Sequence, residues 1–278
     1  MSLLLAPVAI LLAPVIGGLL RGLDRILTAR MQGRVGPPLL QPFYDLINLF
    51  SKSTIVTGRV QIVAAWGYLL FIIAAAVMLA LRQDLLLLFL VLGAADVFLV
   101  SGAFASRSPY SHIGANRELL QLLAYEPILI LASIAVYLKT GSFLISAISS
   151  PLLPALWPVY LALVIALVIL MRKSPFDVSA SEHAHQEIVR GPFTEYSGLY
   201  LGLIELAHWY EMVVMLAVLA LFWAVWPGIA LALVSWLAVL FIDNITARLN
   251  WSTMIRLTWA GGLGLGTVNI IALKVLGG

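Results

Sequence analysis

Polar chemistry in this chain is concentrated in residues 172–211, which carry acids and histidines within an otherwise apolar sequence. This stretch holds six of the thirteen acidic residues and three of the four histidines: Asp177, Glu182, Glu187, Glu195, Glu205, Glu211, His183, His185 and His208. Such side chains can bind a metal ion, form a structural hydrogen-bond network, or pass protons and cations through internal water. All three uses are open at this point.

Two observations weigh against a metal site and against catalysis by this chain. A di-metal site in a helical bundle uses the Glu-x-x-His motif on two helices, and here the predicted spans carry the motif once, at Glu205 and His208. The sequence contains no HExxH motif, no glycine-rich phosphate loop and no basic-aromatic patch for nucleic acid. We therefore predict no metal ligand, no catalytic residue and no nucleic-acid partner. An ion path explains more of the polar residues than the alternative, a structural network.

The composition is that of a membrane protein. Of the 278 residues, 62% are hydrophobic and 10% are charged, whereas soluble globular domains have about 25% charged residues. Apolar stretches of roughly 20 residues, the length of a membrane-spanning helix, recur along the chain. The absence of cysteine excludes disulfides and cysteine-bound iron–sulfur clusters within this chain.

The apolar runs predict an all-α integral membrane protein with eight transmembrane helices in a single membrane domain, residues 1–278. The runs are continuously apolar rather than alternating, which favours helices over the strands of a barrel. The predicted spans are 3–20, 62–81, 85–104, 118–138, 155–171, 198–225, 228–243 and 255–275.

The basic residues predict how these spans are oriented. Thirteen of the sixteen Lys and Arg residues lie in four connections, 21–61, 105–117, 172–197 and 244–256. Because cytoplasmic loops of membrane proteins carry an excess of Lys and Arg, we place these four loops in the cytoplasm. Both termini then face outward.

The long first cytoplasmic loop contains a second kind of helix. From Leu39 to Phe50, apolar residues recur at intervals of three and four, which is typical of an amphipathic helix. Such a helix lies in the membrane interface or against a partner. An ordinary surface helix that tethers two spans is the alternative.

Carboxylates inside the predicted spans need individual explanations, because a charge at the bilayer centre costs roughly 2.5–3.5 kcal/mol on insertion scales. Asp96 lies near the middle of the third span, and Glu126 lies inside the fourth, next to Pro127. The proline removes a backbone donor, and a carboxylate beside the freed carbonyl can hold water. We expect both acids to face other helices or water, with a protonated structural Asp96 as the alternative. The sixth span adds Glu205, His208 and Glu211, whose spacing of three gives them one broad helical face.

Four motifs, in order, resemble one known family, the complex I membrane subunit at the quinone-site junction, called subunit 1 or the H-type subunit. The first motif is Gly33-Arg34-Val35-Gly36-Pro37, followed by Gln41-Pro42, Asp45 and Lys52. The others are Ala124-Tyr125-Glu126, Pro175-Phe176-Asp177 and Thr194-Glu195-Tyr196-Ser197-Gly198. The resemblance covers nearly the whole chain and agrees with the eight-span topology.

The segment between the last two motifs departs from the pattern of that family and points to a hydrogenase. Sixteen residues, 178–193, lie between the PFD and TEYSG motifs, and they include Glu182-His183-Ala184-His185-Gln186-Glu187. Together with 204–211, IELAHWYE, this segment resembles the membrane subunit of group 4 energy-converting NiFe hydrogenases, the ferredoxin-, CO- and formate-linked enzymes. The departure makes quinone binding less expected.

The hydrogenase resemblance implies a function and a set of partners. The chain would be a non-catalytic subunit of an oxidoreductase complex in the cell membrane of a prokaryote, linking electron transport and hydrogen formation to proton or sodium translocation. The implied partners are hydrogenase large and small subunits, an iron–sulfur subunit and antiporter-like membrane subunits, all at the lipid bilayer. No cofactor is expected in this subunit, and a NiFe centre and iron–sulfur clusters are expected in the partner subunits.

The polar residues and the resemblance together predict two groups of site residues. The expected ion path comprises Asp96, Glu126, Asp177, Glu182, Glu187, Glu195, Glu205, His208 and Glu211. The expected junction with the soluble arm comprises Arg34, Gln41, Asp45, Lys52, His183 and His185. Two other functions stay open: a quinone-reducing complex I subunit, and a passive membrane anchor without an ion path.

Overall fold

The computed structural model describes residues 5–55, 58–176 and 190–276, and these residues form helices and turns without a β-strand. The α-helices are α1 (Leu5–Met31), α2 (Gln41–Ser51), α3 (Arg59–Ala80), α4 (Leu85–Phe104), α5 (Pro109–Thr140), α6 (Leu153–Leu170), α7 (Gly198–Ala220), α8 (Val225–Ile245), α9 (Trp251–Leu257) and α10 (Gly264–Leu276). A π-helical turn, Thr258–Leu263, separates α9 from α10, and two 3-10 helices cover Ile145–Ala147 and Gly191–Phe193. The prediction of an all-α protein is confirmed for the described residues.

Seven of the described helices are long and apolar enough to cross a membrane: α1, α3, α4, α5, α6, α7 and α8. The chain is therefore a multi-pass membrane protein. The predicted eighth span, 255–275, falls on α9, the π-helical turn and α10. Each of these three segments is by itself shorter than the roughly 20 residues that a membrane-spanning helix requires, so the eighth span stays a prediction.

Two spans extend further at their polar ends than the sequence predicts. Helix α1 continues to Met31 because its polar residues pair locally. Arg21 lies 3.6 Å from Asp24, and the Thr28 hydroxyl donates to the same carboxylate at 3.3 Å. Pairs at such spacing stabilise a helix. Helix α5 begins at Pro109, a residue that is favoured in the first turn.

Helix α1 is interrupted by a proline whose effect on the backbone is compensated from another helix. Pro14 lies inside α1 and has no N–H to donate to the carbonyl four residues earlier. That carbonyl belongs to Ile10, and it accepts a hydrogen bond from the Tyr210 hydroxyl of α7. The backbone group that Pro14 leaves open is thus bonded to a side chain.

Helix α5 repeats this arrangement with different residues. Pro127 lies inside α5, and the carbonyl four residues earlier belongs to Leu123. The indole nitrogen of Trp259, in the π-helical turn, donates to this carbonyl at 3.2 Å. A freed carbonyl that faced hydrocarbon would be costly, and the indole removes that cost.

Helix α6 shows a related contact near its own proline. Pro158 lies inside α6, and Leu156 has non-helical dihedral angles. The side-chain amide of Asn269 donates to the Ala155 carbonyl at 3.0 Å. In three spans, therefore, a carbonyl three or four residues before an internal proline accepts a side-chain donor from another helical segment.

By packing, the chain forms two compact units. The first comprises Met1–Val77, Val91–Leu119 and Val178–Val213, and the second comprises Met78–Leu90, Leu120–Asp177 and Val214–Gly278, as far as these residues are described. This division does not test the prediction of one membrane domain over residues 1–278, which stays a prediction.

In the first unit, α1 packs closely against α7 and α2. A Cβ on Gly17 would lie 2.6 Å from the Trp209 carbonyl oxygen, and a Cβ on Gly18 would lie 2.8 Å from the Trp209 ring. Phe43 of α2 packs edge-on against the same ring, with centroids 5.2 Å apart. Glycine at these two positions lets three helices meet around one indole.

In the second unit, α6 packs against α8 and against the end of α7. The Tyr160 hydroxyl lies 2.6 Å from the Ser235 hydroxyl, and both residues are buried. The Tyr160 ring packs edge-on against Phe222. The N–H groups of Leu152 and Leu153 donate to the Phe222 carbonyl at 3.0 and 2.9 Å, which fixes the start of α6.

Candidate functional site

A buried hydrogen bond between two membrane-spanning helices forms the centre of the candidate site. The Tyr68 hydroxyl of α3 donates to Glu211 Oε2 of α7 at 3.0 Å. Tyr68 is 0% exposed and Glu211 is 6% exposed. A carboxylate in so dry a place is stable only when hydrogen bonds compensate for its lost hydration. Glu211, predicted as a path residue, therefore lies in the interior of the first unit.

His208 lies one helical turn before Glu211 and joins the same group of side chains. Its ring packs edge-on against Tyr68, with centroids 5.6 Å apart, and edge-on against Phe193, with centroids 5.3 Å apart. Phe193 ends the 3-10 helix Gly191–Phe193, which precedes α7. His208 thus contacts both Phe193 and Tyr68, the partner of Glu211, through ring contacts of a kind that aromatic side chains favour.

The other acids predicted in the first unit differ in burial. Asp96 is 4% exposed in α4, as expected for a carboxylate directed away from lipid. Glu205 of α7 and Glu195, in the turn before α7, are both half-buried. Glu118 of α5, the first residue of the predicted span 118–138, is 6% exposed.

Glu126 belongs to the second unit and is half-buried in α5. The sequence suggests that its neighbour Pro127 leaves a carbonyl that could hold water beside the carboxylate. The carbonyl in question, that of Leu123, instead accepts the Trp259 indole N–H. The proline therefore creates an acceptor that a side chain already uses.

The predicted junction residues of the first loop form a small polar cluster on α1 and α2. Asp45 accepts a hydrogen bond from Arg25 Nη1 at 2.7 Å and another from Gln41 Nε2 at 2.8 Å. Arg34 and Lys52 are exposed, and the Arg34 guanidinium donates to the side chain of Gln32. Two of the four described junction residues, Gln41 and Asp45, are thus brought together.

The first-loop motif and the TEYSG motif meet, although they lie far apart in sequence. The Ser197 hydroxyl accepts the Ile55 N–H at 2.8 Å and donates to the Ile55 carbonyl at 3.0 Å. Gly198 has φ 53°, and a Cβ there would lie 2.9 Å from the Lys52 carbonyl oxygen. Glycine is the residue that allows both this backbone conformation and this approach.

Exchange of Gly198 for alanine should destabilise the subunit by more than a left-handed backbone alone explains. That conformation costs a non-glycine residue roughly 1–2 kcal/mol, and the new Cβ also meets the Lys52 carbonyl. Gly141 is the matched control, because it has φ 75° and a Cβ added there would have no atom within 4 Å. Thermal unfolding of the purified complex should show a larger drop for Gly198→Ala than for Gly141→Ala. Equal drops would mean that the approach of Lys52 is unimportant.

Tyr196 of the same motif has a buried hydroxyl. The residue is 6% exposed, and its hydroxyl lies over Gly102 and finds no hydrogen-bond partner among the described residues. Burial raises the pKa of Tyr196 above its ordinary value.

The start of the polar stretch is anchored at Asp243, near the end of α8. Asp243 Oδ1 accepts the Ser174 N–H at 2.8 Å, and Asp243 Oδ2 lies 3.2 Å from Lys173 Nζ. The Leu249 N–H donates to the Pro175 carbonyl at 2.6 Å. Segment 173–175 is thus attached to the end of α8 and to the connection that follows it.

Each predicted group has members outside the described residues, namely Asp177, Glu182, His183, His185 and Glu187. Within the described ranges, no group of three or more His, Asp or Glu side chains could hold a metal ion. The assignments of path and junction residues therefore stay predictions.

Sequence reasoning missed three residues that contact the predicted ones or their neighbours: Tyr68, Arg25 and Trp259. Tyr68 carries a usable signal, since a tyrosine inside an apolar span needs a partner for its hydroxyl. The spacing of Arg25 gives no indication that it reaches Asp45 on another helix. Pro127 indicates that a donor is needed near Leu123, but not which residue supplies it.

Comparisons with known proteins agree with the fold and the motifs. A model of the NADH dehydrogenase family matches residues 3–274. Formate hydrogenlyase subunit 4 of Escherichia coli is 30% identical, over 94% of this chain and 95% of that protein. Hydrogenase-4 component C of the same organism is 32% identical, over 71% and 67%. The H-type subunit of NADH-quinone oxidoreductase from Syntrophotalea carbinolica is 28% identical, over 89% and 87%.

A solved structure shows the same architecture. A chain of the membrane-bound sulfane sulfur reductase, an archaeal respiratory membrane complex, aligns with a TM-score of 0.86 and 26% identity, over 98% of this chain and 99% of that one. The relatives are components of multi-subunit hydrogenase or respiratory membrane complexes. The comparisons confirm the resemblance that the ordered motifs indicate.

Proposed function

Because this chain belongs to the NADH dehydrogenase family, whose members include complex I subunit 1-like membrane proteins, we propose that it is the ion-translocating membrane subunit of a hydrogenase complex. Similarity to a formate hydrogenlyase subunit and to a hydrogenase-4 component supports this choice. The subunit would link electron transfer from ferredoxin, CO or formate, and the reduction of protons to hydrogen, with the movement of protons or sodium ions.

The observation that carries the ion path is the buried carboxylate of Glu211 in a membrane-spanning helix, hydrogen-bonded to Tyr68. Ionisable groups within membrane spans are expensive and by default suggest a pathway for ions. Asp96 of α4 is as buried as Glu211, and we assign it to the path together with the half-buried Glu126 and Glu205. We assign the remaining path residues to the same route: Asp177, Glu182, Glu187, Glu195 and His208.

The proposed partners follow from the proposed function. They are hydrogenase large and small subunits, an iron–sulfur subunit and antiporter-like membrane subunits. Since this chain has no cysteine, we assign the iron–sulfur clusters and the NiFe centre to those partners. The soluble arm would dock at the residues of the predicted junction: Arg34, Gln41, Asp45, Lys52, His183 and His185.

The proposed topology has eight spans, with residues 255–275 as the eighth, and both termini outside the cell membrane of a prokaryote. Helix α2 would be the amphipathic helix of the first cytoplasmic loop. Its exposed Tyr44, Ile47 and Phe50 support contact with the membrane interface or with a partner.

Two alternatives, a quinone-reducing complex and a passive anchor, predict different results from the proposal. Similarity to the H-type subunit of NADH-quinone oxidoreductase favours a quinone-reducing complex, which would reduce quinone and form no hydrogen. A passive anchor would need no ionisable residue in its spans. It would therefore tolerate neutral replacements of Glu126 and Glu205.

The proposal is tested with Glu126→Gln and Glu205→Gln in the purified complex, reconstituted into vesicles. Each exchange removes the ionisable group at nearly constant size. In each variant, the number of ions moved per molecule of hydrogen formed should therefore fall to a small fraction of its original value. An entrapped pH- or sodium-sensitive dye measures the ions, and an electrode measures hydrogen.

Asp84→Asn is the matched control for this experiment. Asp84 precedes α4, where its carboxylate accepts the Leu87 N–H at 2.9 Å, and its replacement should preserve the ratio. Unchanged ratios in both glutamate variants would leave the passive anchor as the better description.

A further inference from the structure

We propose that Tyr68 is a positioning residue that holds the Glu211 carboxylate in the orientation needed for ion transfer. This inference rests on the proposed function. Its basis is a single buried contact, the hydrogen bond of 3.0 Å from the Tyr68 hydroxyl to Glu211 Oε2.

The Glu211 carboxylate needs a partner to hold it in one position. Glutamate has three rotatable side-chain bonds, so its carboxylate can occupy several positions unless a partner selects one. A buried carboxyl oxygen is costly to leave without a donor, so a hydroxyl that bonds to it stabilises the position in which the bond forms. In the dry interior around Glu211, the phenol hydroxyl is therefore able to select the position of the carboxylate.

The phenol of Tyr68 must itself be fixed if it is to hold another side chain in place. Tyr68 is fully buried, and its ring packs against the edge of His208. His208 is supported on another side by Phe193. A packed ring restricts where the hydroxyl can point.

Aromatic rings connect Glu211 with the segment that precedes α7. Phe193 ends the 3-10 helix that precedes α7, and Glu211 lies more than three helical turns into α7 from its start at Gly198. The ring contacts therefore extend from this 3-10 helix through His208 to Tyr68. Within this set, the Tyr68 hydroxyl donates a hydrogen bond to Glu211.

The test compares Tyr68→Phe with the unchanged complex in vesicles, where ions moved are divided by hydrogen formed. The exchange removes one hydroxyl and keeps the ring that packs on His208. We expect the ratio to fall several-fold. Tyr160→Phe is the matched control, because Tyr160 is also buried and its hydroxyl donates to the Leu231 carbonyl and contacts Ser235, with no carboxylate. It should keep the ratio.

A double variant separates positioning from general damage. If Tyr68 acts through Glu211, Tyr68→Phe should add no further loss once Glu211→Gln is present, which is the signature of two coupled residues. A full additional loss would overturn the inference. Glu211→Asp provides a second route, because its carboxylate is withdrawn by about 1.5 Å and should show the same loss as Tyr68→Phe.

Infrared difference spectra supply a readout that a purely structural role would not move. The carboxyl stretch that disappears in Glu211→Gln should shift in Tyr68→Phe and stay in place in Tyr160→Phe. An unshifted band would overturn the inference. Normal ion movement in Glu211→Gln would refute the role of Glu211 in the path, whereas loss in Glu211→Gln with full activity in Tyr68→Phe would refute the role of Tyr68 alone.

Discussion

Replacing Trp259 with phenylalanine should destabilise the protein by roughly 2 kcal/mol, the usual cost of leaving a polar group without its hydrogen bond where water cannot replace it. The Trp259 indole donates to the Leu123 carbonyl, which Pro127 deprives of its ordinary backbone donor. In hydrocarbon, water cannot substitute for the lost indole. Unfolding of the purified complex in detergent and in lipid vesicles measures the effect.

The decisive comparison repeats the exchange in a Pro127→Ala background. Alanine restores an N–H at residue 127, which can bond to the Leu123 carbonyl, so Trp259→Phe should then cost little. Trp226→Phe is the control for loss of ring size, since Trp226 is 79% exposed at the start of α8. Equal costs of Trp259→Phe in both backgrounds would mean that the indole acts by packing alone.

Replacing Asp243 with alanine should cost roughly 3 kcal/mol, because removing one partner from a largely buried ion pair leaves the other charge uncompensated. The side chains of Lys173 and Asp243 are 13% and 17% exposed. The exchange also removes the acceptor of the Ser174 N–H. Asp243→Asn should cost less, since its amide oxygen can still accept that N–H.

Asn244→Ala provides the control for Asp243→Ala. The Asn244 amide donates to the Leu240 carbonyl within its own helix at 2.9 Å, so its loss should leave segment 173–175 in place. Thermal unfolding and limited proteolysis of the complex would report both variants. An equal loss in Asn244→Ala would indicate general weakening of α8 rather than detachment of that segment.

The helices were predictable where hydropathy alone decides their length. Helix α4 begins and ends at the predicted residues, 85 and 104, because it is apolar over nearly its whole length. The end of α1 was not predictable from hydropathy, since Arg21, Asp24 and Thr28 continue the helix through local pairs. The π-helical turn was not predictable from hydropathy either, because it changes the hydrogen bonding of the helix without changing its composition.

The site was predictable within single helices and not between them. The spacing of Glu205, His208 and Glu211 places them on one helix, as α7 confirms. Tyr68, the partner of Glu211, lies 143 residues away in sequence, and no periodic pattern relates the two. The meeting of Ser197 with Ile55 is equally distant. Such contacts depend on how helices pack, which a single sequence does not encode as a local signal.

The buried phenol of Tyr196 has a consequence for the electrostatics of its turn. Since burial raises its pKa, the hydroxyl keeps its proton throughout the physiological pH range and never becomes a phenolate. Under the proposed function, a cation passing this turn would meet a dipole at Tyr196 rather than a fixed negative charge. The side chain therefore adds polarity to the turn without creating a site where a cation would be trapped.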